Sequence, residues 1–290
     1  MNVDCYFAQG KTHLVCQDYA LAMRVPVPGA SEPIPEQPFV VLSDGCSSSP
    51  HTDLGARLLC LNALRFLEYG WLYSPTSVVD RTLWASVTAT VPLHKVKGPP
   101  LETPSCLDAT LLMASPHEFS VRAAAAGDGV ICARRRDTGV VETFRISFNG
   151  NAPGYPSYEL STTRLQMYLG EHGLRKVEHF VGRELAGCFE NQIDHDGYDT
   201  INTVWYRDFL QDDYDLVVLF SDGVESFQRE EKPGHFVPVD MFDVLDQLLA
   251  LKNFKGEFVV RRMRRFLSKF CPQNKWHHND DLAMAAMYKP

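Results

Sequence analysis

Two stretches of the chain carry an unbroken apolar run into the same three residues: FVVLSDG at 39–45 and LVVLFSDG at 216–223. Runs of this length and β-favouring composition predict strands buried on both faces. Alternation at Val3, Cys5 and Phe7, and again from Leu14 and Cys16 to Met23, predicts strands around a turn at Gly10. The proline-rich, acidic stretch 25–38 reads as a loop. Leu54, Leu58, Leu61, Leu64 and Leu67 recur at helical spacing, which predicts a helix to about Tyr69, capped by Thr52 or Asp53. A second helix is expected from Ser77 to about Leu93, ending near Pro92. Four strands follow at 109–115, 119–127, 130–136 and 140–148, separated by turns at Ser115-Pro116, Asp128-Gly129 and Thr138-Gly139. That spacing predicts an antiparallel meander. Residues 149–210 show no sustained period and read as a flap-like insertion within a single domain spanning 1–290. Helices are expected at 239–251 and 256–270, and LAMAAMY at 282–288 closes the chain as a strand. Clustered strands with segregated helix pairs give an α+β layered class rather than a βαβ one.

Composition narrows the function. Of 290 residues 45% are hydrophobic and 22% charged, so the chain can bury a large core. A formal net charge of -8 argues against a nucleic-acid surface, and no apolar run is long enough to span a membrane. The N-terminus lacks the basic-then-apolar order of a secretory signal, so a cytoplasmic location is expected. None of the eight cysteines stands in a C-x-x-C pair, which points to small buried hydrophobes in a reducing compartment.

The candidate chemistry lies where strands end. An aspartate at a strand's rim is half-buried, and its charge is costly there without a partner. The following glycine lets the backbone turn and approach a ligand. Asp44 and Asp222 stand in this position, Asp128 ends another strand within AAAAGDG, and Asp280 precedes the last strand. Neighbouring strands can bring such carboxylates together, and a hard divalent cation between them offsets their repulsion.

The order of these motifs resembles the metal-dependent serine/threonine protein phosphatases of type 2C. The segments are CQDYA, VVLSDGCSSSP, DATLLMAS, AAAAGDGVICARR, LVVLFSDGVESF and NDDLAMAAMY, covering about residues 8 to 288. GKTHLVCQDYA looks like a variant branch, with histidine and glutamine in the first motif. The resemblance implies a sandwich of two antiparallel β-sheets flanked by pairs of α-helices. It implies that Asp44 bridges two Mn2+ or Mg2+ ions and that the Gly45 carbonyl ligates one of them. Asp222 and Asp280 complete the other site, and Asp128 helps form a third, weaker site that some members use. Asp18 is a supporting group. The implied reaction is hydrolysis of phosphoserine and phosphothreonine in proteins by a water bridging the metals, with no phosphoenzyme. It further implies a phosphoprotein substrate made by a cognate kinase, and no nucleic-acid or membrane partner.

Several positions depart from the family pattern. His13 stands where many members have a phosphate-clamping arginine; a histidinium meeting phosphate and a strand histidine with a local partner both remain open. Gln17 replaces a glutamate, and Ser226 replaces an aspartate, which weakens the third metal site. These changes leave two alternatives standing: a catalytically inactive binding module, and a phosphomonoesterase acting on small molecules. His277 and His278 are expected as surface or packing residues rather than zinc ligands, Asp281 as a residue facing away from Asp280, and Asp108 as a strand-start aspartate. KGEFVVRRMRRFLSKF is expected as a basic amphipathic helix that docks its apolar face on the sandwich; an anionic partner or membrane surface for its basic face is the sharper alternative.

Overall fold

In the computed structural model the described residues are 1–25, 36–67, 74–91, 105–171, 174–192, 195–196, 200–201 and 204–290. Of the expected loop over 25–38, residues 26–35 lie outside them, as does the expected helix stop at Pro92, while Val25 ends one strand and Gln37 and Pro38 open the next. Strands and helices are numbered in chain order. One sheet has seven antiparallel strands, ordered β1 (Asn2–Ala8), β17 (Leu282–Tyr288), β13 (Tyr214–Phe220), β6 (Gly129–Arg135), β7 (Val141–Phe148), β8 (Leu174–Val181) and β9 (Glu184–Gln192). The other has five, ordered β12 (Val204–Leu210), β5 (Ser120–Ala126), β4 (Leu111–His117), β3 (Gln37–Ser43) and β2 (Tyr19–Val25). A short pair, β10 (His195–Asp196) and β11 (Thr200–Ile201), stands apart. A small third sheet joins β15 (His235–Pro238), β14 (Phe227–Lys232) and β16 (Trp276–His278).

The period of two decides which layer each side chain enters. Val217, Leu219 and Ile131 meet Val40, Leu42 and Leu112 between the two large sheets. Their neighbours Val218, Phe220 and Val130 point outward, against α4 (Met241–Leu249) and α5 (Phe258–Arg265). On the opposite side Phe39, Val41 and Leu111 pack against α1 (Thr52–Leu67) and α2 (Pro75–Thr90). Strands buried on both faces explain why the apolar runs show no alternation. The expected α+β sandwich with helices on both outer faces is the fold. Among the described residues no helix is long and apolar enough to cross a membrane.

Four elements differ from the sequence expectation. The meander is split: β4 and β5 pair in the five-stranded sheet, whereas β6 and β7 pair in the seven-stranded one. The chain changes sheets at Gly127-Asp128-Gly129, where the glycines take φ of 96° and 138°. Residues 10–17 form no strand, and Leu14 is 98% exposed. The amides of Gly10 and Gln17 are instead held by the buried Asp281 carboxylate, at 2.6 and 2.5 Å. Segment 149–210, expected as a flap-like insertion, supplies β8, β9 and β12 to the two large sheets, as well as α3 (Thr162–Glu171). The last helix is irregular rather than uniform: α5 runs on through a π turn, Phe266–Phe270, into α6 (Cys271–Asn274), past the expected end at 270.

Candidate metal centre

The acidic residues come from strand ends that the topology places at one edge of the sandwich. Asp44 follows β3, Asp222 follows β13 and Asp280 precedes β17, the antiparallel neighbour of β13. Asp128 sits at the crossing between sheets. Asp44, Gly45, Asp128, Asp222 and Asp280 line a single cavity of about 180 Å³, together with Thr110, Asn151 and Tyr155. Among the described residues no lysine, arginine or histidine lines it.

The carboxylates are close enough to perturb one another strongly. Burial, with Asp18 and Asp222 alongside, holds the Asp44 carboxyl well above the usual carboxylate range. Burial likewise raises Asp18 and Asp128, and Asp222 adds its charge at both. Asp222 is raised by burial and by Asp280 and Glu225, against a favourable contact with Asp44. One oxygen each of Asp18 and Asp222 is buried without a hydrogen-bond partner. Among the described residues no three His, Cys, Asp or Glu side chains close into a ready-made ligand set. The donors are nevertheless hard oxygens, and Asp222, with one orphaned oxygen, lines the cavity beside Asp44, Asp128 and Asp280 with no protein cation among the lining residues. That chemistry fits divalent Mg2+ or Mn2+.

Neighbouring groups hold the carboxylates in place. The Asp44 amide donates to Thr110 Oγ1 at 3.0 Å, and Ser221 Oγ donates to Asp18 Oδ2 at 2.7 Å. A Cβ on Gly45 would stand 2.9 Å from Thr52, so the backbone there passes too close for any other residue. Thr52 Oγ1 in turn donates to the Cys46 carbonyl. A Cβ on Gly223 would stand 1.7 Å from the Asp281 carbonyl oxygen. The Asp222-Gly223 and Asp280-Asp281 turns are therefore in backbone contact.

The remaining candidates fall around this cavity. His13 places Nδ1 3.0 Å from Asp281 Oδ2 and Nε2 3.5 Å from Asp280 Oδ1. It lines an adjoining cavity with Glu225, Ser226 and Asp280. Gln17 turns its amide to Thr52 Oγ1 at 2.9 Å. His278 bonds the Asp280 carbonyl through Nδ1 at 2.9 Å, and His277 packs edge-on against Phe236. Asp108 is a buried anchor, accepting from Ser49, Ser157 and Arg164.

The family follows from a direct comparison. Residues 10–270 match the protein phosphatase 2C family. The chain belongs to that family. No curated protein sequence matches it closely enough to count as a relative. Among solved structures, a bacterial serine phosphatase is 12% identical, with a TM-score of 0.53. That alignment covers 99% of this chain and 96% of the other. The serine/threonine phosphatase Stp1 from Staphylococcus aureus is 12% identical, with a TM-score of 0.51, covering 100% of this chain and 96% of the other. At such identity these likenesses establish the fold, and the family match establishes a serine/threonine phosphatase. The sequence motifs of this phosphatase do not single out Tyr155, Asn151 or Arg145. Arg145 lies on β7 and lines a cavity shared with Asp128, Asp222 and Asp280. It donates to both oxygens of Glu225, through Nε at 2.8 Å and through Nη2, and to Glu178 at 3.1 Å. The Asn149-Gly150-Asn151 turn, with Asn151 at φ 52°, carries the only signal for Asn151.

Proposed function

We propose that this phosphatase hydrolyses phosphoserine and phosphothreonine monoesters in proteins on a centre of two divalent cations. The observation that carries this reading is the set of four carboxylates, Asp44, Asp128, Asp222 and Asp280, that line one cavity with Gly45 and no protein cation, with Asp18 buried behind Asp44. Asp44 would hold both ions, the Gly45 carbonyl one of them and Asp222 with Asp280 the other, with Asp128 at a weaker third position. The chemistry supplied by ions held there is Lewis acidity toward phosphoryl oxygens and water.

The chain's own residues do the positioning. Asp18, fixed by Ser221, lies against Asp44 and keeps its carboxylate oriented toward the cavity. Tyr155 and Pro153 wall the cavity beside the Cys46–Ser48 turn and limit water entry. Two nitrogen donors, His13 and Arg145, line the cavities that adjoin the carboxylates. A guanidinium offers a phosphate two parallel hydrogen bonds, and an imidazole offers one. Arg145 is therefore the stronger clamp, released to substrate from Glu225.

The decisive experiment measures phosphate release from phosphoserine and phosphothreonine peptides with and without manganese, beside a panel of small phosphate esters. Manganese-dependent turnover of the peptides, lost in Asp44→Ala, is expected. Turnover of small esters alone would assign the same centre to metabolites, and no turnover on any substrate would make the chain a binding module. A cognate kinase in the cytoplasm is the corresponding source of substrate.

A further inference from the structure

A second site lies in the outer helix layer, away from the carboxylates. A cavity of about 390 Å³ opens between the segment after α4 and the exposed side of α5. A second cavity, of about 210 Å³, adjoins it along α5 and the π turn. Arg262 and Arg265 line both, and among the described residues no aspartate or glutamate lines either. In a chain of net charge -8 this is a local concentration of unopposed positive charge.

The arginines are not accounted for by packing or pairing. Arg261, next along α5, bonds the carbonyls of Asn253 and Lys255. Arg262 Nε is buried and has no hydrogen-bond partner. Burial and the neighbouring charge of Arg265 hold its pKa below the usual arginine range. The two acids of α4 that point to solvent, Asp243 and Asp246, are already taken by Arg183 at 2.8 and 2.5 Å. A desolvated donor without a partner costs about 1–3 kcal/mol, more for a charged group. The helix is also irregular where it lines the second cavity: Phe266–Phe270 form a π turn. Such turns are rare inside helices and concentrate at functional sites. A merely solvated basic face explains neither the enclosed Nε nor the π turn.

We propose that this double cavity binds a phosphorylated small molecule, its phosphoryl group forked between Arg262 and Arg265 and its apolar body against Ala250 and Leu251. Lys252 and Lys269 add charge at the two mouths, which favours a dianion or a diphosphate over a carboxylate. The volume suits a small-molecule ligand; exposed Ala250 and the surface of Leu251 form its apolar wall, and the nearly buried Phe258 closes the floor. The inference does not rest on the metal centre, since none of its residues line that cavity.

The test is calorimetric titration of the full-length Asp44→Ala protein, whose crippled metal centre removes hydrolysis; binding held by Arg145 is told apart because it is unchanged in the Arg262 and Arg265 variants. The probes are ADP, which carries a flat body, and inorganic pyrophosphate, which does not. ADP is expected to bind at micromolar to submillimolar concentration, and pyrophosphate about tenfold more weakly. Arg262→Leu is expected to weaken ADP about tenfold or more. Arg265→Glu tests the same site from an exposed position where misfolding is no explanation, and is expected to abolish binding. Failure of both probes to bind, or unchanged ADP affinity in both variants, overturns the site. Equal affinity for the two probes overturns the apolar contact.

Discussion

At the residue scale the candidate centre trades stability for chemistry. Asp18, Asp44, Asp128 and Asp222 each carry a pKa raised chiefly by burial, so their charges oppose folding until a cation opposes them. Asp44→Asn removes a charge from the middle of this group. We expect it to raise the melting temperature of the metal-free protein by several degrees, at roughly 2–4 °C per kcal/mol. The same substitution is expected to lower manganese-dependent turnover by about three orders of magnitude or more. Loss of activity with unchanged or lower metal-free stability would show that these carboxylates do not repel one another in the folded state. The two flanking donors, Arg145 and His13, separate in the same assay. Arg145→Ala is expected to raise KM about tenfold or more, by removing a two-bond contact, whereas His13→Ala is expected to change it less. A larger effect at His13 would return the phosphate contact to the first motif. The acidic residues are legible in the sequence because each borders an apolar strand, three of them beside a glycine. Arg145 is not, because an arginine alternating with core residues on β7 reads as an ordinary outward position.

At the element scale, helix α5 shows what local sequence cannot carry. Its own N-cap residue, Glu257, makes no side-chain cap. The cap comes from β1: Asp4 Oδ2 accepts the Val259 and Val260 amides, at 2.5 and 3.1 Å, while Oδ1 accepts from Cys5. Asp4 lies 255 residues from Val259, so no window around the helix contains the signal. Asp4→Ala is expected to destabilise the protein by about 1–2 kcal/mol, read as a shift of the urea midpoint at constant slope. An unchanged midpoint would mean that water caps the helix equally well. The split meander has a similar origin. Turn residues at Asp128-Gly129 mark a reversal of the chain, and nothing in the spacing says whether the next strand stays in its sheet. The loop over 10–17 reads as strand because Cys16 and Asp18 continue an alternation that Asp281, far along the chain, interrupts through Gly10 and Gln17.

At the scale of the whole molecule, the layers are joined by groups whose charge state depends on pH. Glu159 sits in the 3-10 turn Pro156–Leu160, which packs between α2 and the wall of the carboxylate cavity. Burial, with the charge of Asp80 on α2, pushes its pKa up to about 7 from the ordinary 4.5. The folded state thus binds this proton more tightly than the unfolded chain does. Its contribution to stability is full below about pH 4.5 and is lost as pH rises through about 7. The difference corresponds to at most about 3 kcal/mol, since one pKa unit is about 1.36 kcal/mol and the side chain keeps some water. Glu159→Gln keeps the shape and removes the titration. Near pH 8 the variant is expected to be more stable than the parent by up to that amount, and the gain is expected to disappear toward pH 5. Denaturation midpoints across this range, taken without added metal so that both proteins share the same background from the four aspartates, give the comparison. A gain that persists undiminished at pH 5 would place the effect in packing rather than charge. The charge of Asp80 beside Glu159 would then have no part in how the fold responds to pH.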